Sequence, residues 1–129
     1  MAVVAHLQKA RAFLQDAQLC VDHGRYDSAV SRAYYAMFRA AIALLEHYGD
    51  VRPGWNHGRL EQALHRRMLR ESGLVHDGEV RELRSVYALR VIADYRDRPI
   101  TSQEAQTSLD AAYRFVAKME RVIHGTAHP

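Results

Sequence analysis

The sequence predicts an all-α protein, an antiparallel up-down bundle of four long helices plus one shorter helix. Three observations carry this. Apolar residues recur at steps of three and four almost throughout the chain. Glycines and prolines gather in the gaps between those stripes, where helices end. No stretch alternates apolar and polar residues as a half-buried strand would. With 129 residues, the chain suits one core. We expect a single helical domain over 1–129, with its core at about 3–124 and a frayed tail at 125–129.

In the first helix Val3, Leu7, Ala10, Leu14, Ala17 and Val21 make one stripe, closed by Gly24. The second is expected to start near Asp27 or Ser28, both good N-cap types. It is apolar on two sides. Val30, Tyr34, Met37, Ala41, Leu44 and Tyr48 form one stripe, and Tyr35, Phe38, Ile42 and Leu45 another. Such a helix lies either at the centre of a bundle or against a second subunit. Residues 49–58, GDVRPGWNHG, read as a loop. Leu60, Leu64 and Met68 mark the short helix, and 72–78, SGLVHDG, a second break. Val80, Leu83, Tyr87 and Val91 belong to the fourth helix. Thr101 and Glu104 form a capping box that opens the last one, which carries Ala105, Leu109, Ala112, Val116, Met119 and Ile123. Short links place sequence neighbours side by side.

Composition excludes several classes. Hydrophobic residues make up 48% and charged residues 26%, which is globular rather than disordered. No apolar run approaches the roughly 20 residues of a membrane span, and the N-terminus lacks a signal-peptide pattern; a cytoplasmic protein with no membrane partner is expected. The net charge of +3 permits nucleic-acid contact without demanding it. Of 18 basic residues, only Lys9 and Lys118 are lysines. Codon bias explains this more readily than phosphate recognition does. The single cysteine, Cys20, excludes an internal disulfide and a cysteine zinc site. Eight histidines offer no i, i+4 pair on a helix with a third ligand near. There is no phosphate-binding glycine loop, dinucleotide fingerprint or nucleophile elbow. No metal and no cofactor are expected.

Two features stand out. The adjacent Tyr34 and Tyr35 point about 100° apart on a helix, so one should face the bundle and the other a second surface. Arg90 and Asp94 continue the stripe of Leu83 and Tyr87 by steps of three and four. As an exposed pair they are worth about 0.3 kcal/mol. A charge beside an apolar stripe must otherwise be paired or used. Arg90 can then serve as a phosphate fork in a cleft or subunit interface.

The strings SRAYYAMFRAAIALLEHYG, NHG in the following loop, and LRVIADY before a capped last helix resemble a HEPN domain, over about residues 5–122. The likeness is to the small stand-alone branch with the SRAYYAMF and RxxADY strings. It implies a two-fold dimer. In HEPN ribonucleases an arginine and a histidine four to six residues apart meet from both subunits and cut RNA without metal. Many are toxins encoded beside a minimal nucleotidyltransferase antitoxin; others bind nucleotides. Arg90 matches the motif arginine. Five residues on stands Tyr95 rather than histidine, with Asp94 before it and Arg96 after. Tyrosine, with an ordinary pKa of about 10, is a poor base at neutral pH, though it can donate a hydrogen bond or a proton. Arg90 and Tyr95 converge only if the helix ends or distorts near Asp94, or across a dimer axis. His57 matches a histidine that recurs in the branch; it either caps the third helix or supplies the missing acid or base.

The resemblance therefore implies a metal-independent endoribonuclease, toxin-like and dimeric, with Arg90, Tyr95, Asp94 and His57 as catalytic candidates. Arg90 and Arg96 would bind phosphate, and Tyr34, Tyr35 and Tyr87 would line the dimer interface or cleft. The alternative is a non-catalytic HEPN dimer that binds RNA or a nucleotide and partners a nucleotidyltransferase. A third reading makes the Arg90–Asp94 pair a structural element of a dimer.

Overall fold

The computed structural model describes residues 2–125, all helices and links. α1 spans Ala2–Asp22, α2 Tyr26–His47, α3 His57–Ala63, α4 Asp77–Tyr95 and α5 Ser102–His124. α3 runs on without a break into a π-helical segment, Leu64–Glu71. No described helix is long and apolar enough to cross a membrane. From residue 126 on, the expected tail lies outside the described residues.

α2 is the central helix and packs against every other element. Its sequence explains why. Ala33, Ala36, Ala40, Ala41 and Ala43 are fully buried, and small side chains let neighbouring helices approach closely. Met37, Leu44 and Leu45 fill the spaces between, against Leu14 of α1, Leu60 and Leu64 of the third element, Leu83 of α4 and Phe115 of α5. Both expected apolar sides of α2 are therefore used inside one chain. Tyr48 departs from its expected stripe and is 41% exposed. It lies past the end of α2, where Gly49 takes a φ of 93° that only glycine adopts without penalty.

A smaller core of Ala29, Val30, Ile100 and Ala105 packs with Leu89 and Ile92. It fixes the C-terminal end of α4 against the start of α2 and thereby places Arg90 and Asp94. The α4–α5 link is tied down in the same place: the Ile100 N–H donates to Asp27 Oδ1 at 2.9 Å. Asp27 is thus not the N-cap of α2. The helix starts one residue earlier, at Tyr26, with Arg25 in the cap position and no side-chain cap bond. The long-range contact with Ile100 takes the carboxylate that a local cap would have used. Thr101 does cap α5, accepting the Glu104 N–H at 3.1 Å while Glu104 accepts the Thr101 N–H at 3.0 Å. The Arg98 fork on Glu104 holds that carboxyl down at about 2.

Two breaks are narrower than the sequence suggests. Asp77 and Gly78 already belong to α4, and His57 and Gly58 form the first turn of α3. In α3 the cap is Asn56, whose side chain accepts the Arg59 N–H at 2.9 Å. Leu60, Leu64 and Met68 are buried as expected. On α4 the buried stripe is Val80, Leu83 and Val86, whereas Tyr87 and Val91 are half-buried at the edge.

Candidate functional site

The site forms where α2, α4 and the start of α3 meet. α4 is regular through Tyr95 and stops there, with Arg96 in extended backbone. That ending satisfies the geometric condition for bringing Arg90 and Tyr95 together. The Arg90 guanidinium lies 5.4 Å from the Tyr95 ring, 5.3 Å from that of Tyr35 and 5.8 Å from that of Tyr34. Stacked charge over ring faces is favourable, more so where water is partly excluded.

Arg90 is held at two atoms. Nη2 donates to the Tyr35 hydroxyl at 2.6 Å. Nε stands 2.9 Å from Asp94 Oδ2, close enough for strong attraction but misaligned, so the buried Nε–H has no true acceptor. Asp94 is in turn fixed by Ser31, whose hydroxyl donates to Oδ2 at 3.2 Å. Among the described residues nothing bonds Nη1, and it is not buried. The Arg90 side chain is only 16% exposed. This is a pre-positioned fork with one free edge, rather than a surface ion pair between mobile side chains.

A second network adjoins it. Tyr34 is 3% exposed, and its hydroxyl lies 2.9 Å from His57 Nδ1. His57 Nε2 is 3.0 Å from Glu61 Oε1. Glu61 receives both Nε and Nη2 of Arg84 at 3.0 and 2.8 Å. The His57 ring stacks on Tyr87 with centroids 3.6 Å apart and planes 8° from parallel. Burial alone would raise the Glu61 carboxyl, but the bonds from Arg84 and His57 outweigh it and hold it below its ordinary 4.5. Glu61 is therefore ionised and can only accept. It follows that Nε2 carries the imidazole proton, and that Nδ1 accepts from the Tyr34 hydroxyl. The donors run in one direction, Tyr34 to His57 to Glu61, with Arg84 closing the far end.

Burial lowers His57 below its ordinary 6.5, and Glu61 offsets this only in part. The folded protein therefore binds fewer protons here than the unfolded chain between that lowered value and 6.5. Stability attributable to His57 is complete above 6.5 and is lost as pH falls through the window beneath it. Protonation would also turn Nδ1 into a donor facing a hydroxyl whose proton already points at it. We expect melting temperature to drop between pH 7 and 5, and His57→Gln to flatten that drop. An unchanged pH profile in the variant would contradict the assignment.

Tyr34 stands between His57 and Arg90, and no hydrogen bond joins those two among the described residues. Tyr34 turns into the bundle and Tyr35 is half-buried beside it, as adjacent helical positions require. Burial, helped by the neighbouring Tyr87, pushes the Tyr34 hydroxyl far above the ordinary tyrosine value. Tyr95 is 66% exposed, and Arg96 is exposed at the end of α4 without a carboxylate partner among the described residues. No group of three His, Cys, Asp or Glu side chains gathers as a metal site among the described residues. Sequence reasoning missed Ser31, Glu61 and Arg84. Glu61 was four residues from His57 and legible as a partner once His57 was placed inside a helix. Arg84 carried no local signal.

These features define an all-helical domain with an arginine fork set among aromatic rings at the meeting of α2, α3 and α4. The HEPN domain family model matches residues 3–122, and the chain belongs to that family. Among solved structures it is similar to the crystal structure of TT1696 from Thermus thermophilus, with a TM-score of 0.78 and 26% identity over 93% of this chain and 97% of that one. No curated protein matches the chain.

Proposed function

We propose that this protein is a phosphate-recognising HEPN module that binds RNA or a nucleotide at Arg90 without cutting it. The single observation that carries the reading is the state of the two key side chains. Arg90 is ordered by Tyr35 and Asp94 with one free guanidinium edge, which suits a phosphate oxygen. His57, the nearest imidazole, has both nitrogens engaged by Tyr34 and Glu61 and no position from which to take a substrate proton. Tyr95 brings a ring and a hydroxyl to the fork but no base at neutral pH. In its full form the reading is a two-fold dimer working with a minimal nucleotidyltransferase, supported by the SRAYYAMF and RxxADY strings.

A second reading is a metal-independent endoribonuclease of the toxin type. The Tyr34–His57–Glu61 chain favours it, because a hydroxyl bonded to a neutral imidazole next to a fixed arginine is a route for proton transfer. Incubating labelled total RNA with the purified protein in EDTA, beside Arg90→Ala, separates the two. The binding module leaves RNA intact in both samples and retains it only with wild type. Cleavage by wild type alone would replace the first reading with the second and direct attention to Tyr34 and His57.

A further inference from the structure

We propose that the ridge formed by α3 and the π-helical segment carries a second anion-binding surface, made by Arg59, Arg66 and Arg70. It would hold the phosphodiester backbone of an RNA strand that also reaches Arg90. The proposal rests on the phosphate-binding reading of Arg90 and extends its ligand from a nucleotide to a polynucleotide.

The three arginines line one concavity of about 740 Å³, together with His65, Gln62 and Glu61. Among the described residues none of the three has a carboxylate within ion-pair distance, a state they share with Arg25, Arg32, Arg39, Arg96 and Arg121. They share that concavity with one carboxylate, Glu61, which is already engaged by His57 and Arg84. Arg59 adds a local conflict. It stands in the first turn of α3, where no acidic residue is present and where the helix dipole disfavours a cation. Such departures from local preference are expected at functional sites.

The backbone points the same way. Leu64–Glu71 is π-helical, a rare geometry that is frequent at functional sites. It contains His65, Arg66, Arg67 and Arg70, of which Arg67 is occupied by Asp50. The groove is linked to Arg90 through a chain of side chains. Glu61 lines it with one side and holds His57 with the other, and His57 reaches Tyr34 beside the fork. Planar guanidinium forks match phosphate oxygens. A concave groove with such forks and a Gln62 amide fits a thin sugar–phosphate chain better than a folded acidic surface.

The test is a fluorescence-anisotropy titration of a labelled single-stranded oligouridylate, with uridine monophosphate measured in parallel. Wild type is compared with Arg90→Ala and with the triple variant Arg59→Gln/Arg66→Gln/Arg70→Gln. Losing three phosphate contacts should weaken the oligonucleotide roughly tenfold or more and reduce the slope of log affinity against log salt by about 2. Uridine monophosphate binding should stay unchanged in the triple variant. Unchanged oligonucleotide affinity and slope would overturn this surface and leave Arg90 standing. Arg90→Ala that binds both probes like wild type would instead remove the reading beneath it. Polyglutamate that displaces the oligonucleotide as well as unlabelled RNA does would assign the groove to an acidic chain and overturn the proposal.

Discussion

Replacing Arg90 with alanine is expected to weaken nucleotide or RNA binding by about ten- to a hundredfold or more. The magnitude follows from the loss of charge-assisted hydrogen bonds, each worth about 1.5–3 kcal/mol, with about 1.4 kcal/mol per factor of ten. Arg90→Lys should not restore it. An ammonium keeps the charge and three donors, but its single nitrogen cannot span the separate positions at which Nη2 meets Tyr35, Nε faces Asp94 and a further edge stays free. Equilibrium titration of the three proteins with a labelled ribonucleotide checks this, with circular dichroism confirming the helical fold. Full binding by the lysine variant would mean that only net charge matters and that the fork geometry does not.

Phe115→Ala should have the largest effect on stability. Phe115 is 1% exposed and sits in the main core beside residues of α2. Truncating a buried phenylalanine costs about 3–5 kcal/mol, a large part of the roughly 5–15 kcal/mol that holds a domain together. A fall in melting temperature on the order of 10–20 °C is expected. Tyr113→Ala, two residues away on the exposed side of α5, should change stability by no more than about 0.5 kcal/mol. Equal effects in the two variants would contradict the packing of α5 onto α2.

Much of the fold was legible because burial imposes a period. The stripes of α1 and α5 run through Leu7, Leu14, Leu109 and Met119, all buried, and the Thr101–Glu104 box needs only residues three apart. α2 was legible as doubly apolar, but its two possible settings were resolved only by packing, which wraps four elements of the same chain around it. The start of α2 was misplaced because Asp27 satisfies Ile100, 73 residues away, and no local rule anticipates such a partner. The π-helical segment left no trace in the sequence. Leu60, Leu64 and Met68 step by four, which an ordinary α-helix also gives, so the spacing does not announce the wider turn.

The site was legible in its centre and hidden at its edges. Arg90 and Asp94 stood out because charges interrupt an apolar stripe. Ser31, which fixes Asp94, lies 63 residues away, and Arg84 lies 23 from the Glu61 it clamps. Such pairs come from the crossing of helices, which residue spacing along one helix does not encode. The partners of His57 were hidden for the same reason. Its placement in the first turn of α3 aims one nitrogen at Tyr34 and the other at Glu61.

The measurement that tests the central claim most directly is nuclear magnetic resonance of the arginine side-chain Nε–H groups during titration with uridine monophosphate. The Arg90 signal is assigned by its absence in Arg90→Lys. The account predicts that this resonance shifts with ligand while those of Arg11 and Arg114, paired elsewhere on the surface, stay in place. Binding that leaves the Arg90 signal unmoved would contradict it and place the ligand elsewhere on the molecule.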